Sequence, residues 1–148
     1  MSLGEKAMSG FWRGWFAVWC LSIGIFGAVL SGGAFEATSG PVRLLLAGLK
    51  GPGEAVFDPV LRFSLAVMGA VSIGWAVTLF ATIRAAIALG DQGRPLWRAI
   101  SMGMATWFVI DSALSVATGF SLNVAPNLVL VAMYVIGLQG SGALRSPG

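Results

Sequence analysis

The sequence predicts an all-α fold, an integral membrane four-helix bundle, and three observations predict it. Apolar runs at about 11–31, 59–84, 97–118 and 124–139 occupy most of the 148 residues. The first three are long enough to cross a bilayer, whose hydrocarbon takes about 20 helical residues at about 1.5 Å of rise each. Composition agrees, since 57% of the residues are hydrophobic, 10% are charged and the mean hydropathy is +0.86, against about 25% charged residues in ordinary soluble domains. A water-soluble core of this size would leave too much apolar surface uncovered. The connections are short and uniform in character, so residues 1–148 read as one transmembrane domain.

The first span opens on Phe11, Trp12, Arg13, Gly14, Trp15, Phe16 and Trp19, an aromatic cluster suited to the headgroup level of a bilayer. Arg13 can snorkel to the same surface. A secretory signal is the rival reading, because Lys6 and Arg13 precede an apolar stretch and Gly32-Gly33-Ala34 resembles a cleavage site. The stretch is long and Trp-rich for a signal, so it is expected to remain as a helix.

Residues 31–57 form a mixed segment broken by Gly40, Pro41, Gly51, Pro52 and Gly53. Within it, Pro41 to Lys50 makes a short helix in the first outer loop, with Ser39 as its expected cap. Two to three turns cannot span. The expectation is an interfacial helix lying on the membrane; a helix packed on the bundle ends and a lid are the alternatives.

Asp58 and Pro59 start the second span, since aspartate accepts from free amides at a helix start and proline lacks an N–H that would be unused there. Leu89 to Pro95 makes a polar turn, Leu96-Trp97-Arg98 begins the third span, and Gly119 ends it. Asn123, Pro126 and Asn127 open the fourth, which Tyr134 and Gln139 close.

Basic residues set the direction, because Lys and Arg in short flanks stay on the cytoplasmic side. Four spans place Lys6, Arg13, Arg84, Arg94, Arg98 and Arg145 on one side and Arg43, Lys50 and Arg62 on the other. Both termini are therefore expected inside, an N-in/C-in arrangement. The basic inner face needs only anionic lipid as its partner and no nucleic acid. Size and economy of loops suggest a bacterial cytoplasmic membrane.

With no histidine, the chain lacks the residues for histidine-ligated metal sites and histidine-based triads. Cys20 is the single cysteine, which excludes an intrachain disulfide and favours a role as a small buried hydrophobe over a reactive thiol. No cofactor motif or phosphate-binding loop is present, and no cofactor is expected.

Small residues recur at helix-packing intervals: Gly10 and Gly14, Gly24, Ala28 and Gly32, Ala70 and Gly74, Ala113 and Ala117. Such faces let backbones approach where lipid removes the hydrophobic drive between helices. Packing within the chain is the first expectation, and a homo-oligomer through Gly24, Ala28 and Gly32 the second.

Asp111 most demands explanation, because a carboxylate within the third span costs roughly 2.5–3.5 kcal/mol on insertion scales unless it is paired or hydrated. Helical spacing sets Ser115 and Thr118 on its face, with Trp107 and Met104 continuing that face inward. Matching depths along the helices predicts a buried Arg62–Asp111 pair, supplemented by Ser115 and by Asn127 or Asn123. This cluster either fixes helix register or lines a polar cavity for a ligand, an ion or a proton.

The functional expectation is a small non-catalytic protein of the inner membrane, an accessory, assembly or interaction subunit of a larger membrane complex. The alternative is a small oligomeric transporter or channel that uses the Asp111/Arg62 cluster. An enzyme ranks third, since these two groups are too few for lipid-processing chemistry.

Overall fold

Asp58 starts the longest helix as its chemistry directs: its carboxylate accepts from the Leu61 amide at 2.7 Å, and Pro59 occupies the first turn. The computed structural model describes residues 8–50 and 56–144. Lys6 and Arg145, which entered the charge count, and the breakers Gly51, Pro52 and Gly53 lie outside the described residues.

The elements in order are α1 (Gly10–Ser31), α2 (Gly40–Lys50), α3 (Pro59–Ala88), α4 (Arg94–Ala117) and α5 (Val124–Ser141). Short 3-10 turns at Gly32–Ala34, Glu36–Thr38, Gly90–Gly93 and Ser121–Asn123 join them, and the described residues contain no strand. Counted with their flanking turns, α1, α3, α4 and α5 are long and apolar enough to cross a membrane. A helix covers each of the four expected apolar stretches, and α3 continues one turn past its expected end.

α1 packs against α3 and α5, and α4 packs against the same two helices, so the four close into a ring. The α1–α3 contact is the most extensive, and two glycines cause it. A Cβ on Gly27 would stand 2.8 Å from the Gly69 carbonyl oxygen and 2.9 Å from the Ile73 amide. Backbones this close gain dispersion along their whole length, which side chains larger than hydrogen would forbid. The small-residue faces expected from four-residue spacing are therefore rotated. Gly24 does face α3, with its Cβ position 3.6 Å from that of Ala76, but Ala28, Ala70 and Gly74 point away from the chain's interior. Gly32 instead seats the Thr38 carbonyl, Gly10 and Gly14 meet open space, and Ala113 and Ala117 are exposed. At 3.6 residues per turn a face alternates steps of three and four, so Cys20, Gly24, Gly27 and Ser31 share one line.

One buried cluster draws on all four long helices: Phe16, Trp19 and Ile23 from α1, Leu79 and Ile83 from α3, Trp97 and Met104 from α4, and Tyr134 from α5. The aromatic cluster at the start of α1 is thus divided. Phe11 faces outward, while Trp19 is fully buried and donates to the Leu130 carbonyl at 3.0 Å. Trp15 donates to the Met133 carbonyl at 2.9 Å. Phe16 and Trp12 lie over Gly137 and Gly140 of α5, where any side chain would overlap their rings. Cys20 is buried among these residues, as a small hydrophobe.

The outward faces of the long helices are apolar, carrying Val18, Leu21, Ile25, Val71, Val77, Val109, Leu114, Val129 and Ile136. The hydroxyls on α3 are compatible with that surface because each is spent internally. Ser64, Ser72, Thr78 and Thr82 donate to the carbonyls of Val60, Met68, Gly74 and Thr78 at 2.7–3.0 Å.

Candidate functional site

α4 ends where Gly119 takes a left-handed conformation, φ +84°, open to glycine at little cost. The Phe120 amide then returns to the Ser115 carbonyl at 2.7 Å, and the turn Ser121–Asn123 leads directly into α5. This tight reversal carries Asn123 and Asn127, one helical turn apart, to the side of α4 that bears Asp111. Asp111 Oδ2 accepts from Asn127 Nδ2 at 2.6 Å and from Asn123 Nδ2 at 2.9 Å. Asn123 also donates to Ser115 Oγ at 2.9 Å and Asn127 to Ser112 Oγ at 3.3 Å. Two carboxamides that each bridge a carboxylate and a serine make a closed polar cluster, with Ser115 and Asn127 buried and Asp111 and Asn123 partly so. Such a network offsets the cost of a carboxylate set within an apolar helix.

The structure brings together Asp111, Ser115, Asn123 and Asn127, and it does not bring Arg62. Thr118, expected on the same face, turns its hydroxyl back to the Leu114 carbonyl at 2.8 Å. Met104 is buried below the cluster, and Trp107 stacks with Trp75 of α3 at 5.5 Å between ring centroids.

The expected Arg62–Asp111 pair is corrected by a nearer acid. Arg62 donates through Nε to the Phe57 carbonyl at 3.1 Å, through one terminal nitrogen to the Gly33 carbonyl at 3.2 Å, and through the other to the Glu36 carboxylate. Arg43 of α2 reaches both oxygens of the same carboxylate at 3.1 Å. The Phe57 ring lies beneath both guanidiniums, 4.0 Å from Arg43 Cζ and 5.3 Å from Arg62 Cζ. Ser39 joins this clamp: its hydroxyl donates to the Glu36 carbonyl at 2.9 Å and accepts from Arg43 Nε at 3.2 Å, a use other than the expected cap. Below the clamp, Val42 of α2 is buried with Leu30 of α1 and Leu65 of α3. α2 is thereby fixed across the ends of α1 and α3. The bond from Arg62, reinforced by the charges of both arginines, holds the Glu36 carboxyl below its usual range.

Glu36 was missed by sequence reasoning, although a signal existed. It is an acid within the segment that supplies Arg43 and Lys50 and runs up to Arg62, and opposite charges confined to one end of a small molecule find one another before one reaches into a span.

A separate cavity of about 410 Å³ opens between the first turns of α1 and the last turns of α3. Arg13 and Arg84 stand on it with Gly14, Phe16, Ala17, Phe80, Ile83, Ile87 and Ala88. It lies at the end of the molecule opposite α2, and Asp111 is about 25 Å along α4 from that end. The described residues contain no grouping of three or more His, Cys, Asp or Glu able to hold a metal ion.

An all-helical chain with four membrane-length helices, apolar outward faces and inward-turned polar groups fits the class of integral membrane proteins. No protein-family model matches the chain, and neither a curated protein nor a solved structure shows significant similarity to it.

Proposed function

We propose that this chain is a small non-catalytic protein of the bacterial cytoplasmic membrane, with four spans, both ends inside and α2 at the outer interface, serving as an accessory or interaction subunit of a larger membrane assembly. The observation that carries the reading is the uneven use of its apolar surface. In the most apolar window of α1, 39% is buried within the chain, whereas in α4 only 11% is. A helix that completes the ring yet gives so little of itself to it has an apolar face for a neighbour in the membrane, either lipid or another subunit. The closed Asp111 cluster supports the same reading, since its members are engaged with one another at one end of the molecule.

Gentle detergent extraction followed by native mass spectrometry tests this proposal. The chain is expected in a complex with a different membrane protein, and the Asp111→Asn variant is expected to remain in it. Recovery as a homo-oligomer, together with loss of solute flux in Asp111→Asn at unchanged folding, would favour the alternative of a small transporter or channel.

A further inference from the structure

The cavity between α1 and α3 combines apolar walls with a cationic rim. Its walls are apolar: Phe16 and Ile83 belong to the buried core, and Phe80, Ile87 and Ala17 continue the surface outward. Its rim is cationic, with Arg13 one turn into α1 and Arg84 one turn before the end of α3. Among the described residues neither arginine has an ion-pair partner, and Arg84 is placed only against the Phe80 ring, 5.7 Å from its centroid. Arg43, Arg62 and Arg94 each meet a carboxylate, and Arg98, exposed on α4 and outside the cavity, shares the lack of an ion-pair partner among the described residues. Gly14 is among the residues that line the trough, and a Cβ there would meet nothing within 4 Å.

Two guanidiniums above an apolar trough, at the level where helices leave the hydrocarbon, complement a molecule with an anionic head and an aliphatic tail. Guanidinium binds phosphate oxygens through paired N–H donors, and aliphatic chains fill what the helices leave open. We infer that this cavity is a binding site for one anionic glycerophospholipid, its phosphate held between Arg13 and Arg84 and an acyl chain laid along Phe16, Phe80, Ile83 and Ile87. Free phosphate would use only the rim, and a zwitterionic lipid would bring a cation against two others.

The inference rests on the chain being a membrane protein, so the experiment reads both. The full-length chain is reconstituted with phosphatidylglycerol and phosphatidylcholine in equal amounts, and flotation with the vesicles is scored before detergent extraction and native mass spectrometry. Flotation with retention of one phosphatidylglycerol, favoured about tenfold over phosphatidylcholine, is expected. Arg13→Ala and Arg84→Ala should each lower that preference on the order of fivefold, whereas Arg98→Ala, an exposed arginine of α4 near the same end, should not. Gly14→Leu, which adds a branched side chain at a residue lining the trough and keeps both arginines, should lower the retention of the lipid as well. Millimolar inorganic phosphate should leave the lipid in place. Equal retention of the two lipids with normal flotation would overturn the site alone, as would an equal loss in Arg98→Ala or full displacement by phosphate. Failure to float would overturn the membrane reading itself.

Discussion

Asp111 shows how a single charged residue can be accommodated within an apolar helix. Its partners are two asparagines, Asn123 from the turn before α5 and Asn127 from the first turn of α5, so the carboxylate is solvated by carboxamides. Replacing it with leucine leaves both carboxamides without their shared acceptor, and the α4–α5 pairing should weaken by about 1–2 kcal/mol. Asparagine keeps an acceptor oxygen and should cost less than half of that; reversible unfolding in bicelles would measure both. The glycine contact between α1 and α3 gives a sharper contrast. Gly69→Val should destabilise by about 1–3 kcal/mol, because its side chain would enter the backbone of Gly27 and Ser31. Gly74→Ala, which meets open space, should change stability by less than about 0.5 kcal/mol. Sequence spacing found that small residues pack these helices and included Gly24, but continued from it along the wrong line. Ala28 and Gly27 differ by about 100° around α1, and an interval of four repeated without a three drifts off the true face. For Asp111, Ser115 was readable from helical spacing and the asparagines from depth along the neighbouring helix. The arginine was not, because depth alone does not reveal that Glu36 and two backbone carbonyls hold its guanidinium at the start of α3.

At the scale of elements, α2 is the informative case. Its length and breakers predicted a short helix that cannot span, and the structure adds what holds it: Val42 below and the Glu36, Arg43, Arg62 and Phe57 clamp above. The Glu36 carboxyl is depressed in the folded state relative to its ordinary 4.5. A depressed acid stabilises the fold above its unfolded value, and that contribution is lost as the pH falls through the lower folded value. Hydrogen exchange of the α2 amides, corrected for intrinsic rates, should thus show protection that is steady above about pH 5 and falls on further acidification. Glu36→Gln should lower protection already at neutral pH and remove the acid dependence. α1 is held to α5 differently, by indole N–H donation to carbonyls that also serve helix bonds. Trp19→Phe keeps the ring but loses that donation, and should cost about 1 kcal/mol.

For the molecule as a whole, the four spans were legible because hydropathy sums over some 20 residues and tolerates local exceptions. Their arrangement in a ring was not, since lipid-facing and helix-facing positions are drawn from the same apolar residues and only the glycines and polar groups differ. The two ends of the ring differ in character, with the Glu36, Arg43 and Arg62 clamp beside α2 at one and Arg13 and Arg84 on an open cavity at the other. The central claim is that the chain crosses the bilayer four times, with the Gly90–Gly93 turn and the end of α5 inside and the Glu36–Thr38 and Ser121–Asn123 turns outside. Single cysteines in a Cys20→Ala background, probed in intact cells with a membrane-impermeant maleimide, test it most directly. Ala37→Cys and Ser121→Cys should react from outside, and Gln92→Cys and Gln139→Cys only after the membrane is permeabilised. Labelling of Gln92→Cys and Ser121→Cys from the same side would contradict the account.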